Sequence, residues 1–178
     1  MEKISAVALA SIALSFSFAS HTAASAKIAP AAAGGTNARA SVEGCMNTWL
    51  FDGIWRIRVT NVSASGSEVR LEVRNGSHDS LTTADSGFAA INGQGIDLAL
   101  SDGSIRNLNI STTNFREELS TLKLPPGGKA TTTLRFDPPA DANVKPVKLL
   151  IAVDPKYNSY VHYTVKDPSF RVHLDCSK

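Results

Sequence analysis

The 178-residue sequence predicts an all-β fold, with about eight to ten short strands arranged as an antiparallel β-sandwich. Several runs alternate apolar and polar side chains with a period of two, which is typical of strands buried on one face. The 12 glycines, 8 prolines and 2 methionines favour many short elements joined by turns over a helical bundle. Two cysteines bracket almost all of the patterned sequence and predict a disulfide that closes the domain.

A secretory signal peptide is predicted for residues 1–26. Lys3 supplies a positive charge, the stretch from Ile4 to about Ala19 is apolar, and Ala24-Ser25-Ala26 fits a signal-peptidase site. Alanines further upstream offer alternative cleavage sites. A helix of the mature fold is disfavoured because the apolar stretch has no amphipathic face. We therefore expect a secreted or periplasmic protein.

The mature chain is expected to have neither a membrane span nor a nucleic-acid partner. Its longest apolar run, Leu149–Val153, is far shorter than the roughly 18 residues that a membrane helix requires. The 18 Lys and Arg against 16 Asp and Glu leave a net charge of +2, which implies no strong attraction to nucleic acid. A lipid anchor at Gly44-Cys45 is disfavoured because Glu43 is charged where the processing site requires a small or apolar residue.

Cys45 and Cys176 set the predicted domain boundaries. The preceding segment, residues 27–44, is rich in small residues with almost no large apolar side chain, and predicts a flexible linker. Residues 45–178 then form the sandwich domain, which a disulfide would stabilise by about 5 kcal/mol. Reactive thiols are the alternative, disfavoured because there is no C-x-x-C spacing and no neighbouring Lys or His to lower a thiol pKa.

The first two strands show the clearest alternation. Residues 54–61 place Trp55, Ile57 and Val59 on one face, and residues 68–75 place three further aliphatic side chains inward with four charges outward. A turn at 63–66 joins the two strands. Direct pairing with the apolar faces matched predicts that Arg56 or Arg58 stands opposite Glu72.

The remaining elements follow in chain order. Further strands are predicted at 96–100, 105–110, 131–136, 147–153, 160–165 and 170–174. Residues 114–122 predict at most two helical turns. Two sheets would bury their apolar faces against each other, which favours a sandwich. A small closed barrel with a ligand in its centre is the alternative.

Three further motifs carry a resemblance to known proteins. They are the opening strands ending in Asn61 and Asn75, the segment Asp97–Gly103, and the turn Leu124–Lys129 leading to a strand that stops at Asp137–Pro139. Their order, over roughly residues 55–153, resembles a widespread group of secreted bacterial domains related to a secreted mycobacterial antigen. The resemblance implies an immunoglobulin-like sandwich and export, and it brings no catalytic residues.

The sequence predicts no metal or cofactor site and no enzymatic activity. The histidines that follow the leader, His78, His162 and His173, lack metal-binding spacing, although the last two could meet across neighbouring strands beside a carboxylate. Asp85-Ser86-Gly87 is interpreted as a turn, because catalysis there would require a second carboxylate loop or a general base. No glycine-rich phosphate loop precedes a helix.

Two groups of residues are candidate ligand surfaces. The first is a basic strand face that could bind carboxylate or phosphate groups, consisting of Arg56, Arg58, Arg70 and Arg74. An ordinary solvated face, with Glu68 and Glu72 interspersed, is the alternative. The second group is a possible aromatic platform of Tyr157, Tyr160 and Tyr163, whose alternative role is to cover the edge of the core.

These observations predict an exported, non-catalytic binding or interaction module. Its partner would be an unknown protein or an anionic envelope polymer. One alternative is a regulator or inhibitor of an exported enzyme that uses a rigid loop such as Leu124–Lys129. A less favoured alternative is an extracytoplasmic hydrolase.

Overall fold

The computed structural model describes residues 41–157 and 161–176. The predicted signal peptide, residues 27–40 of the predicted linker, and Tyr160 lie outside these residues. The described part contains nine strands: β1 (Val42–Cys45), β2 (Leu50–Phe51), β3 (Trp55–Val62), β4 (Glu68–Asn75), β5 (Ile96–Leu100), β6 (Ile105–Asn107), β7 (Lys129–Arg135), β8 (Pro146–Ile151) and β9 (Phe170–His173). None of its helices is long and apolar enough to cross a bilayer.

The strands form two sheets, which confirms the predicted β-sandwich. One sheet has five strands in the order β1-β9-β8-β5-β6, and the other has four in the order β2-β3-β4-β7. The described pairs are antiparallel apart from β1 and β9, which run parallel. β1 is the first strand of the described chain and lies beside β9, the last one, at the edge of the five-stranded sheet.

A single hydrophobic core is formed by the inward faces of both sheets. Trp55, Ile57 and Val59 on β3 are fully buried, as the alternation predicts. The Trp55 ring meets Phe88 edge to face at 6.2 Å between centroids, and Phe88 meets Phe170 of β9 at 6.0 Å. These aromatic contacts connect the four-stranded sheet to the five-stranded one.

A disulfide joins Cys45 and Cys176, as the sequence predicts, across a separation of 131 residues. Cys45 is the last residue of β1, and Cys176 follows β9. The bond therefore fixes both ends of the described chain to the same edge of the five-stranded sheet.

The folded part begins earlier than the sequence indicates. The linker was expected to extend to Gly44, but residues 42–44 belong to β1 and pair with β9, with Val42 opposite Phe170. Backbone hydrogen bonds from Val42 N to Ser169 O at 2.9 Å and from Met46 N to His173 O at 2.8 Å fix this strand. The residues lack apolar alternation because the ladder is held by main-chain bonds at a sheet edge.

One other element differs from expectation. The strand predicted at 160–165 does not form in its described residues, because 161–165 are irregular. Val161 is buried and Tyr163 half-buried, so the alternating pattern reflects a loop that covers the core. The prediction of at most two helical turns at 114–122 is confirmed, because this segment contains one short π-helical turn, Arg116–Ser120, which buries Leu119.

Candidate binding surface and cleft

The outer face of the four-stranded sheet is strongly basic. Strand alternation directs six cationic side chains outward against two carboxylates, Glu68 and Glu72. The cationic residues are Arg56, Arg58, Arg70, Arg74, Lys129 and Arg135. The four arginines of the predicted basic face therefore share one side of the sheet.

Three of these six cationic side chains form salt bridges with Glu68 or Glu72. Arg58 Nη2 lies 2.6 Å from Glu72 Oε2, which is one of the two cross-strand pairs that the sequence predicts. Lys129 also approaches Glu72, at 3.5 Å, and Arg135 Nε lies 3.1 Å from Glu68 Oε1. The hydrogen bond from Arg58 holds the pKa of Glu72 below its ordinary value. This part of the face fits the alternative of a solvated, charge-balanced strand surface.

Arg56 and Arg74 are arranged differently. They stand directly opposite each other on β3 and β4, and among the described residues neither forms a salt bridge. Like charges opposite each other destabilise a sheet. Their guanidinium groups instead lie over aromatic rings, Arg56 at 4.3 Å from the centroid of Phe51 and Arg74 at 5.2 Å from that of Trp49.

We call this group the arginine–aromatic surface: Trp49, Phe51, Arg56, Arg58 and Arg74. Arg58 belongs to it because its guanidinium lies 4.7 Å from the Trp49 centroid. Arg70 is on the same face but stands opposite Asn61 and Thr133, further along the strands. The aromatic partners were missed from the sequence because Trp49 precedes, and Phe51 ends, a two-residue strand too short to show periodicity.

A cleft of about 670 Å³ adjoins this surface. Its lining combines apolar side chains with hydroxyl, carboxylate and imidazole groups, and consists of Phe51, Gly53, Ile54, Gly76, Ser77, His78, Asp79, Ser80, Leu81, Val161 and His162. Phe51 belongs to both features, so a ligand can contact the cleft and the Arg56 guanidinium together. Apolar walls with a few polar groups are typical of ligand-binding sites.

Asn75 holds the segment that forms one wall of the cleft. This side chain is fully buried at the end of β4, and its Nδ2 donates to the carbonyls of Asp79 at 2.6 Å and Leu124 at 2.8 Å. Its Oδ1 accepts from the backbone N–H and the hydroxyl of Ser77, at 2.9 and 2.7 Å. One amide group therefore ties the cleft segment to the turn that precedes β7.

Replacing Asn75 with alanine is expected to destabilise the fold and loosen the cleft. The change removes the hydrogen bonds of the Asn75 amide. The bond to the buried Leu124 carbonyl alone contributes about 0.5–1.5 kcal/mol, since that carbonyl still accepts from the Leu81 N–H. Chemical denaturation should show the loss, and amide exchange of residues 76–81 should accelerate. Asn61→Ala removes the same side chain from an exposed position on β3 and is the control. Equal effects in the two variants would contradict this role of Asn75.

A buried carboxyl group lies directly beneath the cleft lining. Asp52 stands between Phe51 and Gly53, and its Oδ1 accepts from the backbone N–H groups of Ile54 at 2.8 Å and Trp55 at 2.6 Å. Oδ2 is buried, with no hydrogen-bond partner in the described part of the chain. Burial raises the pKa of Asp52 to about 7, although the two backbone hydrogen bonds act in the opposite direction.

The predicted turn at Asp85-Ser86-Gly87 has a structural use. Ser86 is buried, and its hydroxyl accepts from Trp55 Nε1 at 2.8 Å while donating to the Thr83 carbonyl at 2.8 Å. The hydroxyl is thus engaged in positioning Trp55. Asp85 is exposed in the same short 3₁₀ turn, Ala84–Ser86.

The predicted tyrosine platform is described only in part. Tyr157 is 62% exposed, and its Cβ lies beside Gly87. Tyr163 is half-buried and donates its hydroxyl to the Ser86 carbonyl at 2.6 Å, while burial and then the negative charge of Asp52 raise its pKa. Tyr163 therefore covers the core edge, as the alternative predicts, and Tyr157 retains a free ring surface.

The histidines occupy two separate places. His78 and His162 line the cleft, whereas His173 lies beside the disulfide. Ligand atoms of His173, Asp175 and Cys176 all lie within 4.8 Å of one another. The expectation that no histidine neighbours the cysteines is therefore wrong. The sequence already places His173 three residues before Cys176. Only the fold places His173 beside Cys45, the residue opposite it in the parallel pairing of β1 and β9.

Comparison with known proteins does not assign this chain to a family. No family model matches the chain, and no curated protein matches it. A solved structure from Clostridium difficile, described as an uncharacterized beta-sandwich protein, is similar at 10% identity with a TM-score of 0.43, covering 78% of this chain and 97% of that one. None of these comparisons tests the resemblance to the secreted bacterial domains, which stays a prediction.

Proposed function

We propose that this protein is an exported, non-catalytic binding module whose arginine–aromatic surface binds an anionic envelope polymer. The observation that carries the proposal is the direct apposition of Arg56 and Arg74, which lack carboxylate partners among the described residues and rest on aromatic rings. A sheet gains no stability from like charges facing each other. A ligand that supplies negative charge relieves this repulsion.

The chemistry of the surface fits carboxylate or phosphate groups. Guanidinium groups present planar sets of donors that bind such groups through paired hydrogen bonds. Contact with the Phe51 and Trp49 rings limits the rotation of the two side chains, which lowers the entropy lost on binding. The neighbouring cleft offers room for the uncharged part of a repeating unit beside the Phe51 ring.

Export is the second part of the proposal. The predicted signal peptide and the Cys45–Cys176 disulfide support a secreted or periplasmic location, because disulfides persist in oxidising compartments. The described residues supply no activated nucleophile at the predicted turn, where the Ser86 hydroxyl is engaged with Trp55 and Thr83. This arrangement supports a binding role over a hydrolytic one.

Charge reversal at the two unpaired arginines tests the ligand class. The double variant Arg56→Glu/Arg74→Glu is expected to reduce the affinity for a polyanion at least tenfold and to weaken its salt dependence. Polygalacturonate and polyphosphate serve as carboxylate and phosphate probes in a calorimetric or biolayer measurement. A stronger response to one of them identifies the preferred group.

The control changes the net charge equally at another surface. Arg106→Glu/Arg171→Glu alters β6 and β9 of the five-stranded sheet and lowers the net charge by the same four units, two for each replacement. We expect this variant to bind nearly as well as the wild type. Equal losses in the two double variants would mean that net charge alone attracts the polymer. Undiminished binding by Arg56→Glu/Arg74→Glu would exclude the arginine–aromatic surface.

A further inference from the structure

The ends of β1 and β9 gather a set of metal-ligating side chains around the disulfide. His173, Asp175 and Cys176 offer an imidazole, a carboxylate and a sulfur atom within 4.8 Å of one another. Cys45 adds a second sulfur, because it is bonded to Cys176 and pairs with His173 in the strand register. All four residues are exposed or half-buried, so a metal ion or a reductant can reach them.

We propose that reduction of the Cys45–Cys176 bond converts this cluster into a zinc site with Cys45, Cys176, His173 and Asp175 as ligands. Structural zinc sites are tetrahedral and take thiolate, imidazole and carboxylate donors. The oxidised protein offers one imidazole and one carboxylate, whereas reduction adds two thiolates. The disulfide and the metal are thus alternative links between the same two strands.

The reaction balances with a dithiol as reductant. Two electrons and two protons pass from the dithiol to the protein disulfide. The Cys45–Cys176 bond breaks to give two thiols, and the dithiol closes into a cyclic disulfide. Zinc then displaces both thiol protons and binds the two thiolates, so that the link between β1 and β9 is restored.

The surrounding residues favour a defined imidazole position. Glu43 Oε1 lies 2.6 Å from His173 Nε2 and 2.9 Å from Lys148 Nζ. Metal-binding histidines are usually oriented by a carboxylate in this manner. Lys148 also contributes a positive charge that partly balances Glu43, so the two thiolates would not face an unneutralised carboxylate there.

Cobalt substitution of the reduced protein tests the site. Purified protein is reduced with excess dithiol, freed of reductant without exposure to oxygen, and titrated with Co²⁺ and then Zn²⁺. We expect one equivalent of Co²⁺ to give thiolate-to-metal charge-transfer absorption and the intense visible bands of a tetrahedral ion. Zinc should abolish these bands at one equivalent. The oxidised protein should give no such spectrum.

Variants of the two proposed ligands that are not cysteines distinguish a four-ligand zinc site from zinc binding by the two thiols alone. His173→Ala and Asp175→Ala are expected to weaken zinc binding at least tenfold in competition with a chromophoric chelator, whereas His78→Ala, in the cleft, should have no effect. Should the reduced chain lose its structure, zinc must restore the native circular-dichroism spectrum in the wild type and fail to do so in His173→Ala. Equal zinc affinity in the wild type and His173→Ala, or the absence of charge-transfer bands, would overturn the proposal.

Discussion

Removal of the Cys45–Cys176 disulfide is expected to lower the free energy of unfolding by about 2–5 kcal/mol. The bond joins residues separated by 131 positions, so it restricts nearly the whole described chain in the unfolded state. For a loop of this length, the chain-entropy model gives about 5 kcal/mol, an upper figure that residual structure in the unfolded ensemble reduces.

The folded state also gives the bond a local role. β1 has four residues and lies at the edge of its sheet, where it pairs with β9 alone. Gly44 packs against the Leu50 side chain of β2, so loss of β1 would also disturb β2. In the protein without the disulfide, we therefore expect the amide protons of residues 42–46 to exchange faster than those of the rest of the sheet.

Chemical denaturation of Cys45→Ala/Cys176→Ala in the presence of a metal chelator provides the measurement. The transition midpoint should fall and the denaturant m-value should rise, because the uncrosslinked chain exposes more surface on unfolding. The oxidised wild type treated with the same chelator is the control. A midpoint equal to that of the wild type would show that the sheet ladder alone holds the ends of the domain.

The sheet strands with long alternation could be predicted from the sequence. β4 and the first part of β3 show period-two patterns, and the burial of Trp55 followed directly from them. The patterns left either Arg56 or Arg58 opposite Glu72, and the register of the folded sheet selects Arg58. The disulfide followed from composition and position, because only two cysteines are present in a chain that is predicted to be exported. These features depend on local pattern or on a single long-range constraint.

The candidate site required the fold because its parts come from unrelated segments. Trp49 and Phe51 lie before any recognisable strand, yet the short β2 places them beside arginines from two later strands. The cleft combines residues 51–54, 76–81 and 161–162, which are joined only through tertiary contacts. The burial of Asp52 could not be predicted from the sequence either, since Asp-Gly usually indicates an exposed turn.

Asp52 is expected to make the stability of the protein depend on pH. Its pKa is raised by burial to about 7, from an ordinary value of 3.8. Between these values the folded protein retains a proton that the unfolded chain releases, so the free energy of unfolding falls as the pH rises. One pKa unit corresponds to about 1.4 kcal/mol, so the full effect is about 4 kcal/mol as an upper figure. The loss of stability is complete once the pH has risen above 7.

Asp52→Asn isolates this contribution. The amide oxygen can still accept from the Ile54 and Trp55 N–H groups, but the side chain no longer ionises. Its NH₂ group places two unpartnered N–H donors where the protonated carboxyl of the wild type has one unpartnered O–H, so the variant is expected to be less stable than the wild type near pH 4 by about 1–3 kcal/mol. The difference should narrow or reverse by pH 8, because only the wild type then carries a buried charge.

Urea denaturation from pH 4 to pH 9 would measure the free energy of unfolding of the wild type and of Asp52→Asn. The contributions of all other titrating groups cancel in the difference between the two values. Asp85→Asn makes the same chemical change at an exposed position and controls for the loss of one carboxyl group. Parallel stability curves for the wild type and Asp52→Asn would show that Asp52 stays ionised in the fold. Since Asp52 is flanked by Phe51 and Gly53 of the cleft, a confirmed titration would also place a pH-dependent charge directly behind the proposed binding site.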